Sequence, residues 1–298
     1  MELKHARGNT YYLEDWQLIP LYLTDKHHCI LLDTGLWEQR QEIEDILAAN
    51  DLTPIGILGS HSHNDHSSNH HYFQQKYHIP VALPMAEAGL CCSYESLKSH
   101  FYMDSMREFV TCEPMSHMLV RADRIIFPEE RELKFCGVSF GVLPTPGHAL
   151  AHTSYLTPDG VLYLADAILT GAELRSARFP YHFDFLTAMQ TLENLKTAKA
   201  DLFLAAHRGV YDDLGDLPER NIQLIQSRMD IFKGLLVEQP LNISELAMKA
   251  CERFRLYSSS HPGVALYERN VRAHLDYLKD TEQVTVTAKN GIFYYQAK

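Results

Sequence analysis

The chain has little of what would direct it to a membrane, a secretory route or a nucleic acid. No stretch approaches the roughly 18 uncharged apolar residues that a membrane span needs. The opening "MELKHARGNTYYLEDW" has no apolar core, so no signal peptide is expected, and the expected location is cytoplasmic. Positive charge is in deficit, with 27 Lys and Arg against 38 Asp and Glu and a net charge of -11. That balance disfavours a nucleic acid or an anionic membrane as the partner of the whole chain. The six cysteines (Cys29, Cys91, Cys92, Cys112, Cys136, Cys251) have no CxxC spacing and read as free thiols. Internal repeats and low-complexity linkers are also absent. Two things are abundant. Hydrophobic residues make up 46% of the 298, enough to bury one large domain, or one domain and a small module. Histidine occurs 17 times, so a single histidine proves little and only spacing and context count.

The first two-thirds alternate strand-like and helix-like segments. "IPLYLTD" and "HCILLDTG" read as paired strands with a turn near Asp25-Lys26. "WEQRQEIEDILAANDL" places Ile43, Ile46 and Leu47 at helical spacing. "PIGILGS" is a buried strand, and "SSNHHYFQQKYH" is a helix with Ser67 or Ser68 as its cap. Residues 85–120 mix Met, Phe, Tyr and Cys without alternation and read as a mostly helical insertion. Strands resume in "RIIFPEE", "RELKFCG", "VSFGVLPTPG", "SYLTPDG" and "VLYLADAI". A helix, "FLTAMQTLENLKTA", and a strand, "DLFLAAH", follow. Two sheets with flanking helices, an α/β layered domain over residues 1–216, are expected. Residues 217–298 read as three helices, the second capped by Ser244, and a hairpin turning at Asn290-Gly291. That order is winged-helix-like.

Five apolar runs end in His or Asp. "CILLDTG" carries Asp33, "IGILGS" leads into His61, His63, Asp65 and His66, and "FGVLPTPG" into His148. "VLYLAD" ends in Asp166 and "LFLAAH" in His207. Strand C-termini gather at one edge of layered α/β folds, where sites are built. In an extended segment His61 and His63 point the same way, while Asp65 and His66 can face a second centre. Imidazoles and carboxylates suit zinc, and two ions sharing a carboxylate suit hydrolysis.

"HSHNDH" resembles the HxHxDH motif of the metallo-β-lactamase fold superfamily, and "LLDTG", "TPGH", "LYLADA" and "AAHRG" follow in that family's order over about residues 10–215. The resemblance implies a four-layer αββα sandwich and two zinc ions, with manganese or iron as alternatives. It implies one ion held by His61, His63 and His148 and a second by Asp65, His66 and His207. Asp166 would bridge them, and Asp33 would orient the His-rich loop from behind. A metal-bridging hydroxide would attack the substrate, with Asp65 or Asp166 handling a proton. Ser67-Ser68 stand where many relatives have a Gly pair. His63, where a Glu would mark the di-iron oxygen-reducing branch, favours a hydrolase. The tail resembles the C-terminal winged-helix piece of one branch of the superfamily, some of whose members act on RNA.

The expected function is therefore a dinuclear hydrolase of a small ester, thioester or lactone. The alternatives are a single-strand RNA endonuclease with the same metals and a non-catalytic metal-binding protein. About 40 residues separate Asp166 from His207, too few for the inserted domain of the main RNA-processing relatives. β-Lactamase activity is not expected without an export signal. Tyr181 and His182, in "FPYHFDF", are candidate substrate contacts or packing residues. His70, His71 and His78 are expected on a solvated helix face, and Cys91-Cys92 as buried thiols. Phe101, Met103 and Met106 are expected in core packing, or else in an apolar lid. From Asn221 on, 10 Lys and Arg face 8 Asp and Glu. That slight excess, with Arg269, Arg272 and Lys289, argues for packing or homodimerisation of the tail rather than RNA binding.

Overall fold

The structure, a computed structural model, describes residues 1–101 and 105–298. Short apolar runs bounded by turn residues form the strands. Seven make one sheet: β1 (Glu2–Arg7), β2 (Thr10–Glu14), β3 (Leu18–Leu23), β4 (His28–Leu32), β5 (Thr53–Leu58), β6 (Val81–Pro84) and β7 (Arg124–Ile126), in that spatial order. β1 to β4 run antiparallel and β4 to β7 parallel. β3 and β4 are the expected pair, with Leu21 opposite Leu31. Six strands make the second sheet: β8 (Glu132–Phe135), β9 (Val138–Pro144), β10 (Thr153–Leu156), β11 (Val161–Ala165), β12 (Leu202–Ala205) and β13 (Gly209–Tyr211). Only β11 and β12 are parallel there. The hairpin β1–β2 and the short β13 had no clear sequence signal. β1 has no buried residue, so no apolar alternation marks it.

The helices are α1 (Arg40–Ala49), α2 (Asn64–Ser67), α3 (His70–Tyr77), α4 (Met85–Cys91), α5 (Tyr94–Phe101), α6 (Met106–Thr111), α7 (Glu113–His117), α8 (Gly171–Ser176), α9 (Phe185–Leu195), α10 (Leu217–Leu235), α11 (Ile243–Phe254) and α12 (His261–Asp280). Three apolar clusters define the layers. Between the sheets lie Leu18, Ile30, Leu58, Phe140, Tyr155 and Tyr163. Outside the first sheet, Ile43 and Leu47 of α1 and Phe73 of α3 pack on Leu31 and Ile57. Outside the second, α9 and the C-terminal helices pack on Phe203 and Ala205. The order is thus helix, sheet, sheet, helix, the expected αββα arrangement. Burying a residue such as Phe73, fully enclosed, is worth about 3–5 kcal/mol against alanine.

The insertion is helical as expected, from α4 to α7, with its own cluster of Leu97, Phe101, Phe109 and Met118. Phe101 is in that packing and Met106 is exposed, while Met103 lies outside the described residues. The tail forms α10 to α12 and a hairpin of β14 (Val284–Lys289) and β15 (Ile292–Ala297). Asn290 (φ 52°) and Gly291 (φ 78°) take the left-handed conformation that a two-residue turn requires. Among the described residues the tail has no core of its own. Phe232, Leu246, Val271 and Val284 share one cluster with Leu192 and Phe203 of the sandwich.

Two caps differ from expectation. α11 begins one residue before Ser244, so Asn242 caps it by accepting from Ser244 N and Glu245 N, a contribution of about 1 kcal/mol. Ser67 and Ser68 do not cap α3, because α2 already occupies that stretch. Their hydroxyls donate backwards to the carbonyls of His63 and Asn64.

Candidate metal centre

The parallel pairs β4–β5 and β11–β12 point their C-terminal ends to one edge of the sandwich. Asp33 follows β4, the "HSHNDH" loop follows β5, Asp166 follows β11 and His207 follows β12. The backbone there is unusual. Asp33 (φ 65°), Ala165 (φ 45°) and Arg208 (φ 64°) are non-glycine residues in the left-handed region, each costing roughly 1–3 kcal/mol. Strain of that kind, clustered at one edge, is a mark of function. Gly147 (φ 124°), before His148, could be nothing else: a Cβ there would stand 2.4 Å from the Ala188 backbone of α9.

The residues come together in two groups. His61, His63, His148 and Asp166 form the first, and Asp65, His66, Asp166 and His207 the second. Within each, one nitrogen or oxygen from every residue lies within 4.8 Å of the others. All seven residues expected at the site are thus gathered, with Asp166 common to both groups.

Hydrogen bonds behind the groups fix which atoms face inwards. Ser60 Oγ donates to Asp33 Oδ2 at 2.6 Å, so its hydroxyl can only accept from His61 Nδ1, 3.0 Å away. His61 Nε2 is left with a free lone pair. His66 Nδ1 donates to Asp33 Oδ2 at 2.8 Å, leaving Nε2 free towards Asp166 Oδ1, 3.4 Å away. Tyr163 also donates to Asp33, at 2.7 Å, and Ser60 N at 2.7 Å. Asp33 is therefore a hub behind the one loop that serves both groups. Burial alone would push its carboxyl up, but the His66 hydrogen bond and Ser60 outweigh burial and hold it below its ordinary value.

The donor set fits metal ions. His63 Nδ1 lies 3.1 Å from His61 Nε2 and 2.9 Å from His148 Nε2, and one nitrogen cannot serve two acceptors at once. Burial, reinforced by the neighbouring imidazoles, drives His61 and His63 well below the ordinary histidine pKa, so three uncharged nitrogens converge. In the second group burial also opposes charge, but Asp166 and Asp65 hold His66 well above its ordinary value, and Asp166 raises His207. Asp166 Oδ1 is buried without a hydrogen-bond partner, although His66 and His207 each come within 3.4 Å. A buried carboxylate oxygen in that state is costly unless a cation meets it.

Several residues around the groups escaped the sequence reading. His152 accepts from Asp166 N and is bonded to Thr145 through its other nitrogen, so it supports Asp166 and has no free donor for an ion. Buried Glu87 bonds the loops on either side of the first group. Gln17 is buried 3.5 Å from His66 Nε2, and Trp16 stacks on His207 at 5.3 Å. Tyr163 had a readable signal: a tyrosine inside a fully apolar strand needs a partner for its hydroxyl. His70 corrects an expectation. It is fully buried, bonded to Thr34, and fits against Gly59, where a Cβ would stand 2.6 Å from its ring. His71 and His78 are exposed as expected, and of the two adjacent cysteines only Cys91 is buried.

A cleft of about 700 Å³ adjoins the first group, lined by His100, Phe101, Tyr181, His182, Phe183 and Arg269 among others. The Tyr181 ring lies 5.8 Å from that of His63, and the His182 ring 6.1 Å from that of His148. Arg269 of α12 donates to the Tyr181 hydroxyl at 2.6 Å and reaches His100 at 3.0 Å. Among the described residues no helix is long and apolar enough to cross a membrane.

The sequence profile of the metallo-beta-lactamase superfamily matches residues 20–207, a span that contains all eight residues of the two groups and their hub. A probable metallo-hydrolase of Bacillus subtilis (strain 168) is 26% identical over 148 residues, 50% of this chain and 64% of that protein. The hydroxyacylglutathione hydrolase of Glaesserella parasuis serovar 5 (strain SH0165) is 22% identical over 156 residues, 52% of this chain and 53% of that protein. The chain thus spans less than two-thirds of the length of these curated relatives. The crystal structure of a metallo-beta-lactamase family protein from Thermus thermophilus matches with a TM-score of 0.70 and 22% identity, over 97% of this chain and 99% of that one, and so shares the fold. With the profile covering more than half of its length, the chain belongs to the metallo-beta-lactamase superfamily.

Proposed function

We propose that the protein is a dinuclear metal-dependent hydrolase of a small ester, thioester or lactone. The observation that carries this is the pair of ligand groups joined by Asp166, whose Oδ1 is buried between His66 and His207, 3.4 Å from each. His61, His63 and His148 would hold one ion, Asp65, His66 and His207 the other, and Asp166 both. Zinc suits the imidazole-rich first set, and manganese or iron could occupy the second. Bound ions would supply Lewis-acid polarisation of the substrate oxygen and a water acidic enough to attack at neutral pH.

The chain's own residues do the rest. Asp33, Ser60 and His152 hold the ligands in one tautomer and one orientation, so nothing reorganises when substrate arrives. Asp65, partly exposed, would take the proton released in the reaction. Tyr181 and His182 wall the cleft beside His148, and Arg269 fixes the Tyr181 hydroxyl in place. Residues 217–298 act as a packing module that lends α12 to the cleft. This use of Arg269 favours a small substrate over RNA, which would need the α12 arginines free for phosphates. The hydroxyacylglutathione hydrolase relative supports a thioester among the candidate substrates.

The test is metal analysis beside a panel of thioesters, lactones, phosphodiesters and single-stranded RNA. Two ions per chain with ester or thioester turnover is the expected result. RNA cleavage without ester turnover would overturn the substrate class, and fewer than one ion after reconstitution would overturn the site.

A further inference from the structure

We propose that Glu87 is the positioning residue of the first ligand group, a carboxylate from the helical insertion that sets the distance between two ligand-bearing loops. The inference rests on the metal-centre reading above.

Glu87 lies in the first turn of α4 and is only 1% exposed. One of its oxygens, Oε2, accepts from both the backbone N–H (3.1 Å) and the hydroxyl of Ser62. Ser62 is the residue between His61 and His63. The other oxygen, Oε1, accepts from Ala151 N at 2.8 Å. Ala151 closes the loop that begins at His148, and it precedes His152, which holds Asp166 N. One carboxylate thus spans the "HSHNDH" loop of the first sheet and the His148 loop of the second.

The two segments are also tied where Thr153 N donates to Ser60 O at 3.0 Å and the Tyr155 hydroxyl to Gly59 O at 2.8 Å, and Glu87 adds a tie two residues further out in each loop, on the side of His63 and His148. His61 and His63 come from one loop and His148 from the other, yet their nitrogens must converge to within about the 2.9–3.1 Å seen here. A buried carboxylate with three donors is a stiff spacer, because losing any donor would leave buried charge short of partners. None of the three donors comes from the second group.

The test uses Glu87→Gln, which keeps size but turns one oxygen into an N–H donor facing a donor. Cobalt uptake is followed by visible absorption, with circular dichroism as a check on folding. The wild type is expected to take two ions. Glu87→Gln is expected to bind the first-group ion about 10–100-fold more weakly, the usual cost of losing a partner behind a ligand, with the second ion unchanged. The same loss is expected in an Asp65→Asn background, and none in a His63→Ala background. If Glu87→Gln does not fold, Ser62→Ala removes only the hydroxyl contact and is expected to weaken the same ion to a smaller degree. Equal weakening of both ions marks a merely structural role and overturns the inference, as does wild-type uptake by the variant. A wild type that binds two ions beside an unaltered variant overturns only this inference, whereas a wild type that binds none overturns the metal-centre reading as well.

Discussion

The two ligand groups share Asp166 but are held together by different physics. The second group brings two carboxylates to two histidines; against burial, Asp166 and Asp65 raise the pKa of His66 well above its ordinary value, and Asp166 raises that of His207. Opposite charge draws that group together. The first group has three imidazoles that burial keeps neutral, sharing only Asp166. Asp166 lies 3.3 Å from His148 and 4.0 Å from His61, and the rest of their placement falls to hydrogen bonds from outside, through Ser60 and Glu87, and to the strained turn at Gly147. Asp33 braces both halves, through Ser60 and through His66, while the first half relies more on bracing and the second more on charge.

The strongest break of that comparison is Asp166→Asn, because it touches both halves. Metal analysis after dialysis should show both ions weakened by more than about 100-fold, beyond the loss expected for a residue that only supports a ligand, and turnover should vanish. His63→Ala and Asp65→Ala should separate the halves. Each is expected to leave one ion per chain instead of two and to abolish turnover of any substrate found. If either variant lost both ions, the halves would not be independent.

The seven ligand candidates were legible because each sits just past an apolar strand, a pattern that strand geometry and burial impose on sequence. The layers were legible for the same reason. The braces were not. Glu87 lies 25 residues from Ser62 and 64 from Ala151, and Tyr163 lies 130 from Asp33, so their pairing exists only after the insertion and the two sheets have packed. His70 read as solvated because its burial depends on the missing side chain of Gly59, on a different element. The involvement of α12 was hidden similarly. Arg269 looked like a surface cation on a helix, and only the packing of the tail on the sandwich turns it towards Tyr181.

Gly147→Ala tests the bracing of the first half through the backbone. Its Cβ would meet Ala188 at a φ that side chains avoid, so the loop carrying His148 must shift. A stability loss of roughly 1–3 kcal/mol is expected in denaturant unfolding, together with loss of the first ion and retention of the second. Tyr163→Phe probes the hub on the other side. Asp33 keeps His66 and Ser60 but loses one donor. The expected cost is about 1 kcal/mol of stability, with a roughly tenfold weaker hold on the ion at His66.

The smallest effect on the metals is expected at Arg269, which touches neither group. Its guanidinium lies over the Tyr181 and Phe101 rings, at 5.2 and 4.8 Å, and donates to the Tyr181 hydroxyl. Arg269→Met keeps the apolar stem but frees that hydroxyl and loosens the Tyr181 ring beside His63. Both ions should remain, since no ligand or brace is altered. KM should rise by about 5–10-fold, the worth of one hydrogen bond of about 1 kcal/mol with a little lost packing, while kcat stays within about twofold. Metal analysis and steady-state kinetics on the same preparation check this. A fall in kcat at unchanged KM would instead place Tyr181 among the groups that act in the transition state, and would extend the centre to a residue held by the C-terminal module.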